Sequence, residues 1–213
     1  MKLYTYWRSS AAYRVRIALN LKEIECDMVP VHLAEGQQHE VSYKGQNPQG
    51  LLPALEHNGQ LLVQSMAIIE YLDTIRPEPR LLPQDPLRRA RVAGMAQAVA
   101  CEVHPLNNLR VQNYLKNELN QDNDAVQAWF SHWIHVTFGP LEQWASQYSA
   151  QQRFMFGDSV SLADLCLVPQ IYNARRFKVN LDNYPTLIAI DRHLCSLPAF
   201  LAASPEQQAD AVI

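Results

Sequence analysis

The chain has 213 residues, 48% hydrophobic and 18% charged, with 18 Lys and Arg against 21 Asp and Glu for a net charge of −3. Single domains cluster near roughly 100–150 residues, so this length suits two modest domains better than one core. The basic excess that draws phosphate backbones is missing and no apolar run is long enough to cross a bilayer, which argues against nucleic acid and membrane as partners.

The amino terminus reaches Arg8 before the apolar core of a secretory signal can develop, so the expected location is cytoplasmic. Residues 2–7 are short, aromatic-rich and end at a polar cluster, as a strand does. From Ser10 the apolar residues Ala11, Val15, Ala18 and Leu19 recur at helical spacing. Ser9 and Ser10 thus stand where a strand passes into a helix, and on the residues alone they read as N-caps. The stretch EIECDMV, residues 23–29, alternates acidic and apolar residues with the period of a half-buried strand. In residues 53–63, Asn58-Gly59 lies between two apolar runs and supplies the positive φ angles of a tight hairpin. A third segment begins at Ser65 as candidate N-cap, carries Ile68, Leu72 and Ile75 on one face, and stops before Pro77 and Pro79.

The first eighty residues therefore read as βαβ, an intervening helix or loop, then ββα. The Pro-rich stretch at 76–86 is the expected boundary. Beyond Leu87 strand signals vanish, and residues 87–118 and 124–148 read as two long helices with bends near Pro105 and Pro140. From Leu162 to Ile171 the chain is apolar nearly all round, the mark of a helix buried on every side. Ser161 and Asp164, three apart, write a capping box at its start, with Val160 placed to staple the entry. Two domains are expected, residues 1–80 and an all-helical 87–213.

The four cysteines are far apart with no C-x-x-C pair, so buried, reduced thiols are expected. His132 and His135 lack the further ligands of a metal set, and no metal is expected. GDSVS lacks the last glycine of a nucleophile elbow, and no Gly-rich phosphate loop occurs.

The stretch RSSAAYRVRIAL at 8–19 resembles the signature of the zeta class of cytosolic glutathione transferases. GQQ at 36–38, NPQGLLPAL at 47–55, QSMAIIEYL at 64–72 and SLADLCLVPQIYNARRFKV at 161–179 are similar to further segments of that family. The resemblance runs end to end. It implies a thioredoxin-like α/β domain of order βαβαββα that binds glutathione, an all-α domain that binds substrate, and a homodimer. The implied activity is glutathione-dependent cis–trans isomerisation of a maleyl keto-diacid in aromatic catabolism. Maleylacetoacetate, giving fumarylacetoacetate, is the first substrate and maleylpyruvate the alternative. Conjugation or dehalogenation of small electrophiles is a second reading, and a non-catalytic binding protein of the same fold a third.

By the same resemblance Ser9 and Ser10 stabilise the glutathione thiolate, with Ser10 ranked slightly ahead. Gln64 and Ser65 hold the γ-glutamyl end, Leu52 before a cis Pro53 pairs with the peptide groups, and Gln38 lies near the glycine end. His104 and Asn108 are expected in the cleft, against an alternative role in a helix kink. Arg8, Arg110 and Arg176 would hold the diacid's carboxylates, because a guanidinium fork gives two parallel bonds. Arg175 beside Arg176 leaves one position of ambiguity. Where the signature usually has a cysteine this chain has Ala11, so no protein thiol assists there.

Overall fold

A computed structural model describes residues 1–212. The chain divides into two compact units, one formed by Met1–Arg80 with the segment from Ser196 onward, the other by Leu81–Cys195. The expected second part, 87–213, therefore differs at its far end. The reason lies in the first helix, where Asn20 Nδ2 donates to Ala199 O at 2.9 Å and Arg16 Nε donates to Ala203 O at 3.0 Å.

In the first unit the order is β1 (Lys2–Thr5), α1 (Ser10–Leu21), β2 (Asp27–Pro30), two single 3₁₀ turns, α2 (Val41–Lys44), β3 (Ala54–His57), β4 (Gln60–Val63) and α3 (Ser65–Ile75). The sheet order is β2-β1-β3-β4, with β2 parallel to β1 and the other pairs antiparallel. β1 stops at Thr5, two residues before the expected end. β2 also begins later than its alternation suggested. Glu23 takes φ 52, its N–H donates to Asn20 O and that of Ile24 to Leu19 O, so these residues close α1 in a Schellman motif instead of pairing in the sheet. The hairpin forms as expected: Asn58 and Gly59 have φ 51 and 74, and His57 faces Gln60.

α1 is buried along nearly its whole length, including Arg14, Arg16 and the capping Lys22. The Lys22 ammonium is held by Asp73 and by Pro79 O at 2.6 Å, which ties the end of α1 to α3 and to the Pro-rich segment.

The second unit contains α4 (Pro86–Gln97), a π-helical segment (Ala98–Val103), the single turn α5 (His104–Leu106), α6 (Leu109–Asn117), α7 (Asn123–Tyr148), α8 (Leu162–Arg176) and α9 (Pro185–Leu194), while α10 (Pro198–Ala203) returns to the first. The single helix expected over 87–118 is thus interrupted. Pro105 has no N–H for Cys101 O and its ring crowds that carbonyl, and the widened π turns fall there. α7, by contrast, runs unbroken past Pro140.

α8 is the core of this unit, with every residue from Leu162 to Ile171 buried. Its capping box is present: the N–H and hydroxyl of Ser161 donate to Asp164 Oδ2 at 2.8 and 2.7 Å, and Met155 N–H donates to Oδ1 at 2.7 Å. Burial outweighs these donors and pushes the carboxyl up to about 6. None of the cysteines is in a disulfide, yet only Cys166 is buried. Cys26 is half-buried and Cys101 and Cys195 are exposed, which corrects the expectation of four buried thiols: Cys101 lies on the outside of the π segment and Cys195 caps α9. Among the described residues no helix is long and apolar enough to cross a membrane.

Asp164→Ala leaves two buried backbone N–H groups without their acceptor and is expected to lower stability by about 2–4 kcal/mol in urea unfolding. With its folded value raised, Asp164 keeps a proton that the unfolded chain has already lost. Its contribution to stability therefore falls as pH rises from about 4 to about 6, and the variant should lose that slope.

Candidate functional site

Register gathers the loops of the first unit at one end of the sheet. Tyr4 on β1 faces Ala54, the first residue of β3, and Ala54 faces Val63, the last of β4. The chain thus leaves β1 toward Ser9, enters β3 from Leu52-Pro53 and leaves β4 into Gln64 on the same side. Each sequence candidate in this unit except Gln38 lies on one of these three connections or is the first residue of the helix that follows.

Ser9 is the N-cap of α1, its Oγ accepting from Ala12 N–H at 3.2 Å. Its own N–H donates to Tyr6 O at 2.9 Å, which fixes the turn out of β1. The hydroxyl proton of Ser9 has no acceptor among the described residues, so the cap takes a hydrogen bond from the helix and keeps one to give. Ser10 is the first helical residue and is buried. Beside both lies the positive end of the α1 dipole.

α3 starts differently from its sequence pattern. The N-cap is Gln64, at φ 72 and ψ 118, and Ser65 is the first helical residue. A glutamine at such φ is strained by about 1–3 kcal/mol, a cost that recurs where a backbone must present its groups to a ligand. Gln64 Nε2 donates to Gln49 Oε1 at 3.0 Å. Ser65 Oγ accepts from Nη1 of Arg14 at 3.3 Å, a guanidinium only 1% exposed. Arg14 and Gln49 were not singled out from sequence. The legible signal was Arg14-Val15-Arg16 itself, two cations inside a helix that buries all its faces.

Leu52-Pro53 is cis, as the resemblance implied. Neither the N–H nor the C=O of Leu52 has a hydrogen-bond partner among the described residues. Gln38 is 8% exposed, and its Oε1 is buried without a partner. Gly50, at φ 61, brings this turn to the next loop, because a Cβ there would lie 3.0 Å from Gln38 O. Arg8 is exposed and stacks its guanidinium 4.0 Å from the Trp7 ring.

The remaining candidates are in the second unit. His104 follows the π segment directly, a geometry frequent near functional positions. Asn108 is the N-cap of α6, its Oδ1 accepting from Arg110 N–H at 3.1 Å, so its side chain has a structural role. Arg175 pairs with buried Asp191 at 2.6 Å. Burial pushes the Asp191 carboxyl up and Arg175 pulls it back. Arg176 is exposed, above the Phe177 ring at 4.8 Å with Nη2 3.4 Å from Asn173 Oδ1, and Arg110 is exposed as well. His135 Nδ1 lies 2.7 Å from the Tyr184 hydroxyl, and no metal-binding cluster occurs among the described residues.

Two helix starts, a partnerless peptide unit and an orphaned buried amide oxygen on adjoining loops can hold an extended, anionic, peptide-like molecule with a polarisable atom at Ser9. Residues 1–74 match the glutathione S-transferase N-terminal domain. A probable maleylacetoacetate isomerase of Vibrio cholerae is 44% identical over 211 residues, which is 98% of this chain and 97% of the relative. The chain belongs to the zeta-class glutathione transferase family. The holo structure of a bacterial maleyl pyruvate isomerase of that class superposes with a TM-score of 0.97 at 42% identity, each chain covered completely. A maleylacetoacetate isomerase of Methylobacterium extorquens solved with malonate and GSH bound gives 0.95 at 37% identity, also with complete coverage of both chains.

In this zeta-class chain Gly50 is the tightest joint of the site loops. Gly50→Ala combines an unfavourable positive φ with a Cβ against Gln38 O, and is expected to cost about 1–2 kcal/mol, read as a lowered thermal midpoint.

Proposed function

We propose that the protein is a glutathione-dependent cis–trans isomerase of a maleyl keto-diacid, with maleylacetoacetate the first substrate and maleylpyruvate the alternative. The observation that carries this is the hydroxyl donor at the start of α1, in a chain alike from end to end to isomerases of this class. Glutathione fits the residues present: the α3 N-terminus with Gln64, Ser65 and Arg14 for its γ-glutamyl end, Leu52 beside Pro53 for its peptide groups, and Gln38 for the glycine end. When bound it supplies a thiolate that adds to the cis double bond and leaves after the bond has rotated, so that it is not consumed.

The chain's own task is to keep sulfur ionised. A thiol with pKa roughly 8.5 is mostly protonated at neutral pH, and each unit of depression needs about 1.4 kcal/mol of preference for the anion. A hydroxyl bond to the anion together with the helix end supplies about one or two units. As donor we put Ser9 ahead of Ser10, the other order from the one the sequence suggested, and the support for this is its place as the N-cap of α1. Acceptance from Ala12 N–H polarises the Ser9 hydroxyl and leaves its proton to point out of the helix. The peptide N–H groups of the first turn, Ser10 among them, add to the positive potential.

Arg8 is assigned to one substrate carboxylate, and Arg110 and Arg176 to the diacid by resemblance. His104 keeps its assignment to the cleft, whereas Asn108 is read as a helix cap. The two substrates are not separated by these residues, and the relatives named for them are alike in identity, 44% and 42%. A cytoplasmic homodimer completes the proposal, and sedimentation at twice the chain mass would support its oligomeric part.

The test follows isomerisation of each diacid by absorbance with substoichiometric glutathione. Turnover of at least one with glutathione returned supports the proposal, while conjugation of a model electrophile without turnover of either would sink it. Ser9→Ala should raise the pKa of the bound thiol by about 1–2 units, move the acid limb of the pH–rate profile up by the same amount and slow turnover at neutral pH about 10- to 100-fold. Arg176→Ala should raise KM for the diacid about 5- to 20-fold with kcat little changed.

A further inference from the structure

The four residues Tyr6–Ser9 join β1 to α1 without belonging to either, so their backbone groups need partners from elsewhere. The Trp7 peptide is held on both sides by ionised groups. Its N–H donates to Asp210 Oδ2 at 3.0 Å, across 203 positions of sequence, and its C=O accepts from Arg16 Nη2 at 3.0 Å. Arg16 Nη1 also donates to Tyr6 O at 3.3 Å and to Thr5 Oγ1 at 3.1 Å, while its Nε reaches Ala203 O. Asp210 lies in the carboxy-terminal segment, and Arg16, on α1, is tied to the same segment through Ala203 O. That segment is ordered by bonds of its own: Gln208 Nε2 donates to Ala202 O at 3.1 Å and to Ser204 O at 2.8 Å, and Ala211 N–H donates to Gln208 O at 3.0 Å.

We infer that Asp210 is a positioning residue of the thiol site, its carboxylate on the Trp7 N–H setting the loop that aims Arg8 and Ser9. The inference rests on the isomerase reading for its functional consequence and on the Asp210–Trp7 bond for its mechanism. Two routes lead outward from Trp7. The Arg8 guanidinium stacks on its indole at 4.0 Å, and Ser9, two residues on, hangs from Tyr6 O by its N–H. A charge-assisted bond is about twice as strong as a neutral one, which suits a single acceptor fixing a loop with no strand ladder to support it. Asp210 acts through Trp7, and a displacement of the order of 1 Å at a reacting centre costs up to about 100-fold in rate.

The experiment compares Asp210→Ala, which removes the acceptor, with Asp210→Asn, which keeps one. Amide exchange of Trp7 is read in the protein without ligand. The thiol pKa of bound glutathione is read from ultraviolet thiolate absorbance, and kcat and KM from diacid isomerisation. In Asp210→Ala the Trp7 amide should exchange about tenfold faster, the bound thiol pKa should rise by about half to one unit, and kcat should fall roughly 5- to 20-fold with KM raised. Asp210→Asn should recover most of each. Trp7 exchange at the wild-type rate in Asp210→Ala overturns the inference. A lower melting temperature with an unmoved thiol pKa also overturns it, leaving Asp210 a structural residue only. Failure of the wild-type protein to isomerise either diacid would instead sink the isomerase reading, with the exchange and thiol measurements still deciding whether Asp210 holds the loop.

Discussion

The pairing of Tyr4 with Ala54 and of Ala54 with Val63 is the constraint on which the candidate site depends. It makes three connections, distant in sequence, emerge at one end of a small sheet. A slip of one residue in β3 would turn Leu55 away from the core and carry Leu52 off its level. The register is secured by what it buries. Leu3, Ala54 and Leu55 are completely buried, and the two-residue hairpin at Asn58-Gly59 leaves β3 and β4 only one way to pair.

On that frame the chemistry is electrostatic and local. Two helices begin at the site, each contributing unpaired N–H groups, and the charges behind them are Arg14 and Arg16. Burying a guanidinium costs several kcal/mol unless its donors are met, and the Arg16 donors are met by Tyr6 O and Trp7 O of the loop that carries the site, by the Thr5 hydroxyl at the end of β1 and by Ala203 O of the carboxy-terminal segment. The positive potential at the start of α1 is therefore built into the fold. Its sign suits an anion at the helix start, and a depression of about one or two pKa units is what separates a thiol from a usable nucleophile near neutral pH.

Much of the fold was legible because its signals are local. Asn58-Gly59, Ser161 with Asp164, and the helical spacing after Ser10 each specify a turn, a cap or a face within a few residues. What escaped depends on distance or on competition. The strand expected over 23–29 lost its first half because closing α1 satisfied Glu23 and Ile24 sooner than the sheet did. The bend expected near Pro105 is present, but as a full interruption of the helix over 87–118, because the donor that Pro105 lacks is felt a full turn back. The boundary expected at the Pro-rich stretch missed the return of residues 196–212, which is written in the contacts of Asn20 and Arg16 and in no composition shift. At the site, the cis Pro53 was legible in the resemblance and the N-cap place of Ser9 in the residues themselves. The strained Gln64, the role of Arg14 and the burial of Gln38 were not, since each depends on a neighbour far along the chain.

β2 lies at the margin of the sheet, and its hydrogen bonds to β1 alternate. Asp27 and Val31 turn their N–H groups inward to Met1 O and Thr5 O, so Met28 and Pro30 face the open side. Proline has no N–H to offer there. Of the donors that a neighbouring strand would need along this margin, Met28 alone remains, next to the charge of Asp27. One donor beside a charge gives a second strand little to pair with on this side, which weighs against edge-to-edge aggregation along β2.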